Sequence, residues 1–275
     1  LTFSLLLIKP RFLPMIIKNK DLLAINPIRD RALSIIEAGL SAIDTKKIIQ
    51  DSVKLKNGFL FIKGQTYELK KFRHVYVVAF GKDSFSASVE LGKILGDRLT
   101  AGVVLSLRSG SIPKMETFQC THPKPSLNNV VATKKAIEII KKANDDDLIL
   151  LVISGGGSAM LTAPYRITYE EKALIAEQLM NSGAGIKELN IVRKHLSEVK
   201  GGRLAELAFP STMVTLIFSD VIGNDLSTIA SGPTVIDHTT VADARAILDK
   251  YNILEKISMP DLELIESPKD HKYFQ

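Results

Sequence analysis

Cysteine is almost absent from this sequence. Cys120 stands alone among 275 residues, and tryptophan does not occur. A lone cysteine excludes an intramolecular disulfide, and no Cys/His spacing typical of a zinc site is present. We expect Cys120 to be a small buried apolar side chain. Scarce cysteine also favours a reducing cytoplasm as the compartment.

Long apolar runs are also missing. No stretch approaches the roughly 20 residues of a membrane-spanning helix, so we expect no membrane partner. The opening LTFSLLLIKP is apolar but short, without a basic flank, and no small-residue cleavage site follows it. Met15 is the first methionine. We therefore expect residues 1–14 to be an N-terminal extension rather than a signal peptide.

The net charge is +6, and the excess of lysine and arginine lies in the first 100 residues. One interpretation is a basic face on a globular domain. The other is attraction of small molecules that carry phosphate. Nucleic acid is not expected as a partner, because the lysines are scattered and no aromatic-rich basic stripe accompanies them.

Four apolar segments alternate with amphipathic helical patterns. They fall at 74–82, 101–107, 147–158 and 213–220, and none shows the two-faced alternation of a half-exposed strand. This pattern predicts an α/β fold with a mainly parallel sheet covered on both sides. Ligands of such sheets lie beyond the carboxyl ends of the strands. Three predicted strand ends carry unusual residues, namely Gly81-Lys82, Ser154 to Ser158, and Ser219-Asp220.

The segment Ser154 to Ser158 places three glycines between two serines. It matches neither the P-loop pattern nor the dinucleotide pattern, where Met160 stands in place of the third glycine. A tight turn between strand and helix is one interpretation. We favour an anion site, because three successive glycines leave main-chain N–H groups free to face one ligand.

Charged residues in three further segments are candidates. Lys82 is either a solvated loop lysine or a point charge for a transferring phosphoryl group. A helical pattern over 186–208, interrupted at Gly201-Gly202, holds Arg193, Lys194, His195, Lys200 and Arg203. One interpretation is a charged helix face exposed to solvent, and a lone histidine such as His195 is typical of a structural role. At helical spacing Arg193 shares a face with Lys200, and Lys200 with Arg203.

The stretch after the fourth strand is rich in acidic and small residues. Asp220 and Asp225 are suited to a magnesium–nucleotide complex or to accepting a proton from a hydroxyl group. The segment Ser231-Gly232-Pro233-Thr234 is a second small-residue loop able to hold an anion. Asx turns and helix caps are the alternative, and we accept it for Ser227 and Asp237.

Several long strings resemble the glycerate 2-kinase family, whose C-terminal domain is known as the MOFRL domain. They are VISGGGSAML, GAGIKELNIVRKHLSEVKGGRLA and SDVIGNDLSTIASGPTVIDHTT, with VVAFGKDS and THPKPS in matching place and order. The resemblance runs from about residue 26 to about residue 260. It implies a Rossmann-like three-layer α/β/α domain over residues 15–260, facing a second domain across a cleft.

The activity implied by the resemblance is phosphorylation of D-glycerate at its 2-hydroxyl, giving 2-phosphoglycerate, with ATP and Mg²⁺. It implies catalytic roles for Lys82, Arg193, Asp220 and Asp225, the two aspartates also being candidate Mg²⁺ ligands. It implies substrate or nucleotide binding by Ser154, Gly155, Gly156, Gly157, Ser158, Lys194, His195, Lys200, Arg203, Ser231, Gly232 and Thr234.

Two departures from the family pattern stand out. Asn224 occupies a position where the family more often has aspartate, and the family's second, C-terminal domain is absent, with residues 261–275 expected to begin a linker or tail. We then expect the chain to be a fragment of a longer chain, the product of a truncated gene, or one half of a split enzyme. As macromolecular partner we expect a homodimer or a separate C-terminal half. Two other functions stay open: a nicotinamide-dependent hydroxypyruvate reductase, and a binding half that depends on a partner.

Overall fold

A computed structural model describes residues 16–274 as two compact units that divide after Asp51. The predicted extension at 1–14 lies outside the described residues. Unit one contains three helices: α1 (Lys20–Leu23), α2 (Pro27–Ala42) and α3 (Thr45–Ser52). Asn26 caps α2, since its side chain accepts a hydrogen bond from Arg29 N and Pro27 follows at the first helical position.

Unit two begins with a small antiparallel sheet of β1 (Val53–Lys56), β2 (Phe59–Ile62) and β3 (Gln65–Glu68). Asn57-Gly58 forms the hairpin turn between β1 and β2, and both residues have positive φ. The remaining elements of this unit follow in chain order. They are β4 (His74–Phe80), α4 (Ser84–Leu95), β5 (Ala101–Ser106), β6 (Met115–Gln119), α5 (Leu127–Lys142), β7 (Asp147–Ile153), α6 (Gly157–Met160), α7 (Tyr169–Asn181), α8 (Ile186–His195), α9 (Arg203–Ala208), β8 (Thr212–Ile217), α10 (Val241–Lys250) and α11 (Ile253–Lys256).

The main sheet has five parallel strands in the order β6-β5-β4-β7-β8. The chain builds outwards from β4 through β5 to β6, and then returns to the other side of β4 with β7. The carboxyl ends of β4 and β7 therefore flank the point where the strand order reverses, which is where open α/β sheets bind ligands. The predicted α/β fold with a parallel sheet is confirmed.

Helices cover both faces of this sheet. Alternate residues of β4, such as Val78 and Phe80, lie in one core cluster with Ala132 and Ala136 of α5. The helix α4 packs against β4, β5 and β7. The helices α7, α8, α10 and α11 share a second apolar cluster, which includes Leu179, Val192 and Leu248. Cys120 is buried, as predicted, and burial raises the pKa of its thiol to about 11.

The sequence pattern was wrong about one helix. It extended a helical segment from 186 to 208, but α8 ends at His195 and α9 begins at Arg203. Between them Ser197 forms a β-bridge with Pro164. The shared helical faces expected for Arg193, Lys200 and Arg203 therefore do not exist.

The C-terminal residues pack on the rest of unit two. Ile265 N donates to His195 O at 2.9 Å, and Ser267 Oγ donates to Asp237 Oδ2 at 2.8 Å. The expected start of a linker at 261 thus does not coincide with a loss of packing. Across residues 16–274, no helix combines the length and the apolar character that crossing a membrane requires.

Candidate functional site

A cavity of about 360 Å³ lies at the carboxyl ends of β7 and β8. The glycine segment after β7 forms part of its wall, and Phe218, Asp220 and Val221 after β8 form another part. The helices α7 and α8 contribute Lys172, Asn190 and Arg193, while the loop before α5 contributes His122. This is the size and setting of a small-molecule site.

The glycine segment presents main-chain donors to the cavity. Gly157 N closes a turn on Ser154 O at 3.1 Å, but within the described residues Gly155 N and Gly156 N donate to no main-chain oxygen. Gly156 has φ +82° and lies against the His122 ring. A Cβ at Gly155 would lie 2.9 Å from Asp220 Oδ2. The left-handed backbone at Gly156 favours glycine, whereas a side chain at Gly155 would displace the carboxylate of Asp220.

The two serines of this segment are differently engaged. Ser154 Oγ accepts a hydrogen bond from Asp83 N at 3.0 Å, which ties the ends of β4 and β7 together. Ser158 Oγ lies 3.0 Å from Ser231 Oγ. Because α6 is only four residues long, its dipole adds little to the electrostatic field in the cavity.

Lys82 follows β4 next to the glycine segment, on the exposed side that we call the mouth of the cavity, and it is not among the residues that line the cavity. Its main-chain N donates to Gly155 O at 2.9 Å, and its side chain is exposed. The ammonium is close enough to His122 to act on it: burial lowers the pKa of that imidazole, Lys82 lowers it further, and Asp220 opposes both. Lys82, His122 and Asp220 thus share one electrostatic environment at the ends of three parallel strands.

The α7–α8 wall, made of Lys172, Asn190 and Arg193, is the most donor-rich part of the cavity. Lys172 and Asn190 are 8% and 7% exposed. The Lys172 ammonium is buried and has no hydrogen-bond partner in the described chain. Burial, together with the charges of Arg193 and Arg203, lowers its pKa to about 7 against a smaller opposite effect of Glu198.

Other basic residues of the 193–203 segment lie in a buried network, defined by Lys194, His195, Arg203 and Asp237. Lys194 Nζ donates to Asp237 Oδ1 at 2.9 Å. His195 Nδ1 bonds Ile265 O at 2.8 Å, and Arg203 Nη1 donates to Lys200 O at 2.8 Å. Their polar atoms are already occupied by the chain itself. We therefore replace the substrate-binding roles predicted for Lys194, His195 and Arg203 with a structural one.

The second small-residue loop is also engaged internally. Gly201 N donates to Ser231 O at 3.0 Å, and Gly202 N donates to Gly232 O at 2.7 Å. The glycine pair therefore approaches this loop rather than a ligand. Thr234 lines a separate depression beside Phe209 and Tyr273. The geometry thus gives Ser231, Gly232 and Thr234 no contact with the cavity, apart from the hydroxyl that Ser231 shares with Ser158.

Lys200 and Asp225 differ from their expected settings. Lys200 is 1% exposed, and its ammonium lies 3.4 Å from Ala230 O, behind the cavity wall. Asp225 uses both carboxylate oxygens locally, accepting from Ser227 N and Thr228 Oγ1 at 2.9 and 2.7 Å. The Asx turn expected at Ser227 thus has Asp225 as its acceptor, and Asp225 is not among the residues that line the cavity.

Asp220 is the one predicted metal ligand that lines the cavity. Across residues 16–274, no three His, Cys, Asp or Glu side chains are grouped closely enough to hold a metal by themselves. Mg²⁺ is commonly held by one or two carboxylates together with substrate phosphates. The single carboxylate of Asp220 therefore fits a magnesium ion that arrives with a nucleotide.

Three cavity residues were not assigned from the sequence. His122 lies in the THPKPS string that carried the resemblance, so the string itself was the available signal. Little in the sequence indicates that Lys172 and Asn190 line a site. In particular, a lysine beside Glu170 and Glu171 in a helical pattern is typical of a helix face exposed to solvent.

Comparison with known proteins gives a consistent result. The family model described as "Domain of unknown function (DUF4147)" matches residues 31–265. Glycerate 2-kinase from Pyrococcus horikoshii is 36% identical over 235 residues, which cover 84% of this chain and 52% of the relative. D-glycerate 2-kinase from Thermotoga maritima is 36% identical over 71% of this chain and 48% of its own. Two Agrobacterium vitis proteins, 42% and 40% identical, are provisionally named hydroxypyruvate reductases.

Solved structures agree. A crystal structure of a Pyrococcus horikoshii protein superposes with a TM-score of 0.77 at 36% identity, over 84% of this chain and 52% of the other. Glycerate kinase from Thermotoga maritima gives a TM-score of 0.73 at 31% identity, over 87% and 55%. The chain spans about half the length of the relatives and structures it matches.

Proposed function

Since the chain belongs to the DUF4147 family and has the fold of the glycerate kinase N-terminal domain, we propose that it takes part in phosphorylation of D-glycerate at the 2-hydroxyl. The phosphate donor in this proposal is ATP with Mg²⁺, and the product is 2-phosphoglycerate. The observation that carries it is the cavity at the carboxyl ends of β7 and β8, which is lined both by the glycine segment with its free main-chain N–H groups and by Lys172 with its unpartnered ammonium.

Phosphoryl transfer asks a protein mainly for positioning and for neutralisation of charge on the migrating group. In our proposal the amides of Gly155 and Gly156 and the hydroxyl of Ser158 hold anionic oxygens. Arg193 contributes a guanidinium that has no acceptor among the described residues. Lys82, exposed at the mouth, places its ammonium against the transferring group.

Asp220 has two candidate roles in this scheme. It would hold Mg²⁺, which neutralises phosphate charge when bound, or it would accept the proton of the attacking hydroxyl. Its carboxylate lies beside Gly155 and acts electrostatically on His122, so either role keeps it next to the proposed phosphate-binding amides. Asp225 has no part in this scheme.

The test is a coupled assay of the purified 275-residue protein with D-glycerate, ATP and Mg²⁺. It is run with the chain alone and again after addition of the second half of a glycerate 2-kinase relative. ADP formation that requires D-glycerate and yields 2-phosphoglycerate is the expected result. Absence of glycerate-dependent ADP formation in both arms would overturn the proposal.

A second candidate is nicotinamide-dependent reduction of hydroxypyruvate, favoured by the provisional names of the Agrobacterium vitis relatives. The glycine segment does not match the dinucleotide pattern, which weakens this candidate. Oxidation of NADH with hydroxypyruvate, measured on the same preparation, distinguishes the two. We expect none. The proposed setting is the cytoplasm, with a homodimer or a separate C-terminal half as the macromolecular partner.

A further inference from the structure

Lys172 on α7 presents an electrostatic problem. Its ammonium is buried, it lines the cavity, and no described acceptor lies within hydrogen-bond distance. Burying an unpaired charge is costly, and natural proteins pair such groups with carboxylates, carbonyls or ligands. The chain does not provide the partner, so the cavity is where the partner binds.

Asn190 on α8 points to the same conclusion independently. Its side chain is 7% exposed and lines the same cavity, and it too has no side-chain hydrogen bond within the described residues. Arg193 follows three residues later on the same helix face. The α7–α8 wall therefore offers an ammonium, an amide and a guanidinium to one small volume, without an acceptor of its own.

Charged groups on the elements around α7 act on Lys172. Arg193 of α8, Arg203 of α9 and Glu198 of the intervening loop act on it directly, and Lys172 in turn acts on buried Lys200. The helix α11 also packs on α7, but its Lys256 donates to Ser182 Oγ at the far end. Positive charge thus exceeds negative charge around Lys172, and an anion is the group that this wall lacks.

Resting on the function proposed above, we propose that Lys172 and Asn190 form the oxyanion subsite of the cavity and bind the carboxylate of the small-molecule acceptor. Lys82 serves the phosphoryl side at the exposed mouth, whereas the α7–α8 wall holds the acid group that distinguishes glycerate from an uncharged polyol. Lys172 is in this view a specificity-determining residue rather than a catalytic one.

Anion binding at Lys172 has a proton signature. With a pKa of about 7 in the free protein, much of the amine is neutral at pH 8. A bound carboxylate favours the charged form, so binding at that pH takes up about one proton. Above pH 7 the affinity for the anion falls with rising pH, because the binding-competent ammonium becomes scarce.

The experiment is calorimetric titration of the 275-residue protein with D-glycerate, glycerol and inorganic phosphate as separate probes. Each titration is made at pH 8 in two buffers of different ionisation enthalpy, which measures proton uptake. The variants are Lys172→Met, which keeps the length of the side chain, Lys172→Arg, which keeps a charge that does not titrate, and Lys187→Met, an exposed control on α8.

We expect the wild type and Lys187→Met to bind D-glycerate with proton uptake and not to bind glycerol. Lys172→Met should bind D-glycerate about 10- to 100-fold more weakly, since hydrogen bonds to charged groups contribute about 1.5–3 kcal/mol. It should unfold at the same or higher urea concentration, because a buried unpaired charge has been removed. Lys172→Arg should bind without proton uptake.

Other outcomes separate the two proposals. Equal D-glycerate binding by wild type and Lys172→Met would overturn the subsite and leave the proposed function standing. A loss confined to phosphate would overturn the carboxylate assignment. No binding of either anion by the wild type would overturn the subsite, whereas glycerate-dependent ADP formation in the coupled assay would still support the proposed function.

Discussion

The α7–α8 wall and the buried network contain the same kinds of side chain within a few residues of each other, yet their surroundings are opposite. In the network, Lys194 has Asp237 and Arg203 has three main-chain carbonyls. In the wall, Lys172 is also buried, and its ammonium has no acceptor among residues 16–274. One region is complete without a ligand, and the other lacks the anion that would complete it.

The difference teaches which cations to assign to function. Arg193 and Lys194 are adjacent in the sequence and match the same motif, but α8 directs them to different sides. Burial alone does not separate the two regions, because Lys194 and Lys172 are both buried. The presence or absence of an acceptor does.

The largest effect is expected from a substitution in the buried network. Asp237→Ala removes the carboxylate that pairs with Lys194 and leaves a buried ammonium alone. We expect the free energy of unfolding to fall by about 3–5 kcal/mol, measured by urea denaturation. Glu138→Ala is the control, because solvent screens its exposed pair with Lys135 and the pair contributes little to stability. Similar small losses for both variants would show that the network contributes no more than a surface ion pair.

The next largest effect is expected at Lys82, beside the cavity. Lys82→Ala should lower kcat of D-glycerate phosphorylation by about 100-fold, because one well-placed charge contact in a transition state is worth about 3 kcal/mol. Stability should not change, since the side chain is exposed. Lys141→Ala, an exposed lysine on α5, should change neither quantity. Near-normal turnover of Lys82→Ala would remove this lysine from the mechanism.

Much of the architecture was predictable from the sequence. Buried strands such as β4 and β7 are apolar throughout, so the local sequence alone identifies them without knowledge of the strands that flank them. The edge strand β6 was missed because its five residues show neither a continuous apolar run nor a strict alternation, and it is only partly buried. The helix over 186–208 was extended too far because Gly201-Gly202 was the first visible breaker. The β-bridge at Ser197 that ends it depends on Pro164, which is distant in sequence.

The site was predictable in part, for a related reason. The glycine segment and the strand ends are local signals, and the structure brings Ser154, Gly155 and Asp220 to one cavity. The pairing of Lys194 with Asp237 spans 43 residues, and no local pattern encodes it. Lys172 was missed because its burial arises from α8 and the loop after it, so its sequence context looks solvated.

A third prediction uses pH to measure how much the ionised carboxylate of Asp237 stabilises the buried network. Burial opposes ionisation of Asp237, but hydrogen bonds from Lys194 and Ser267 outweigh it and lower the pKa from 3.8 to about 2. The unfolded chain therefore takes up this proton first. The stabilisation is present above about pH 4, and it is lost as pH falls through about 2, by on the order of 2 kcal/mol.

The measurement is the stability difference between wild type and Asp237→Asn, followed from pH 5 to pH 2. Asn does not titrate, so groups common to both proteins cancel. The difference should shrink over the acid range. A difference that stays constant with pH would mean that the Asp237 carboxylate gains nothing from its buried partners.

The smallest effect is expected in the glycine segment of the cavity, and it compares two glycines with nearly the same φ. Gly156 has φ +82° and Gly183 has φ +85°, but a Cβ at Gly156 would lie 2.9 Å from the His122 ring whereas one at Gly183 meets nothing. Alanine at either position should cost about 1–2 kcal/mol of stability through the left-handed backbone. Titration with inorganic phosphate should then show weaker binding for Gly156→Ala alone, because its methyl group displaces His122 beside the donor amides. Equal binding by both variants would mean that these amides lie away from the bound anion, and the free donors of the cavity would then be those of α7 and α8.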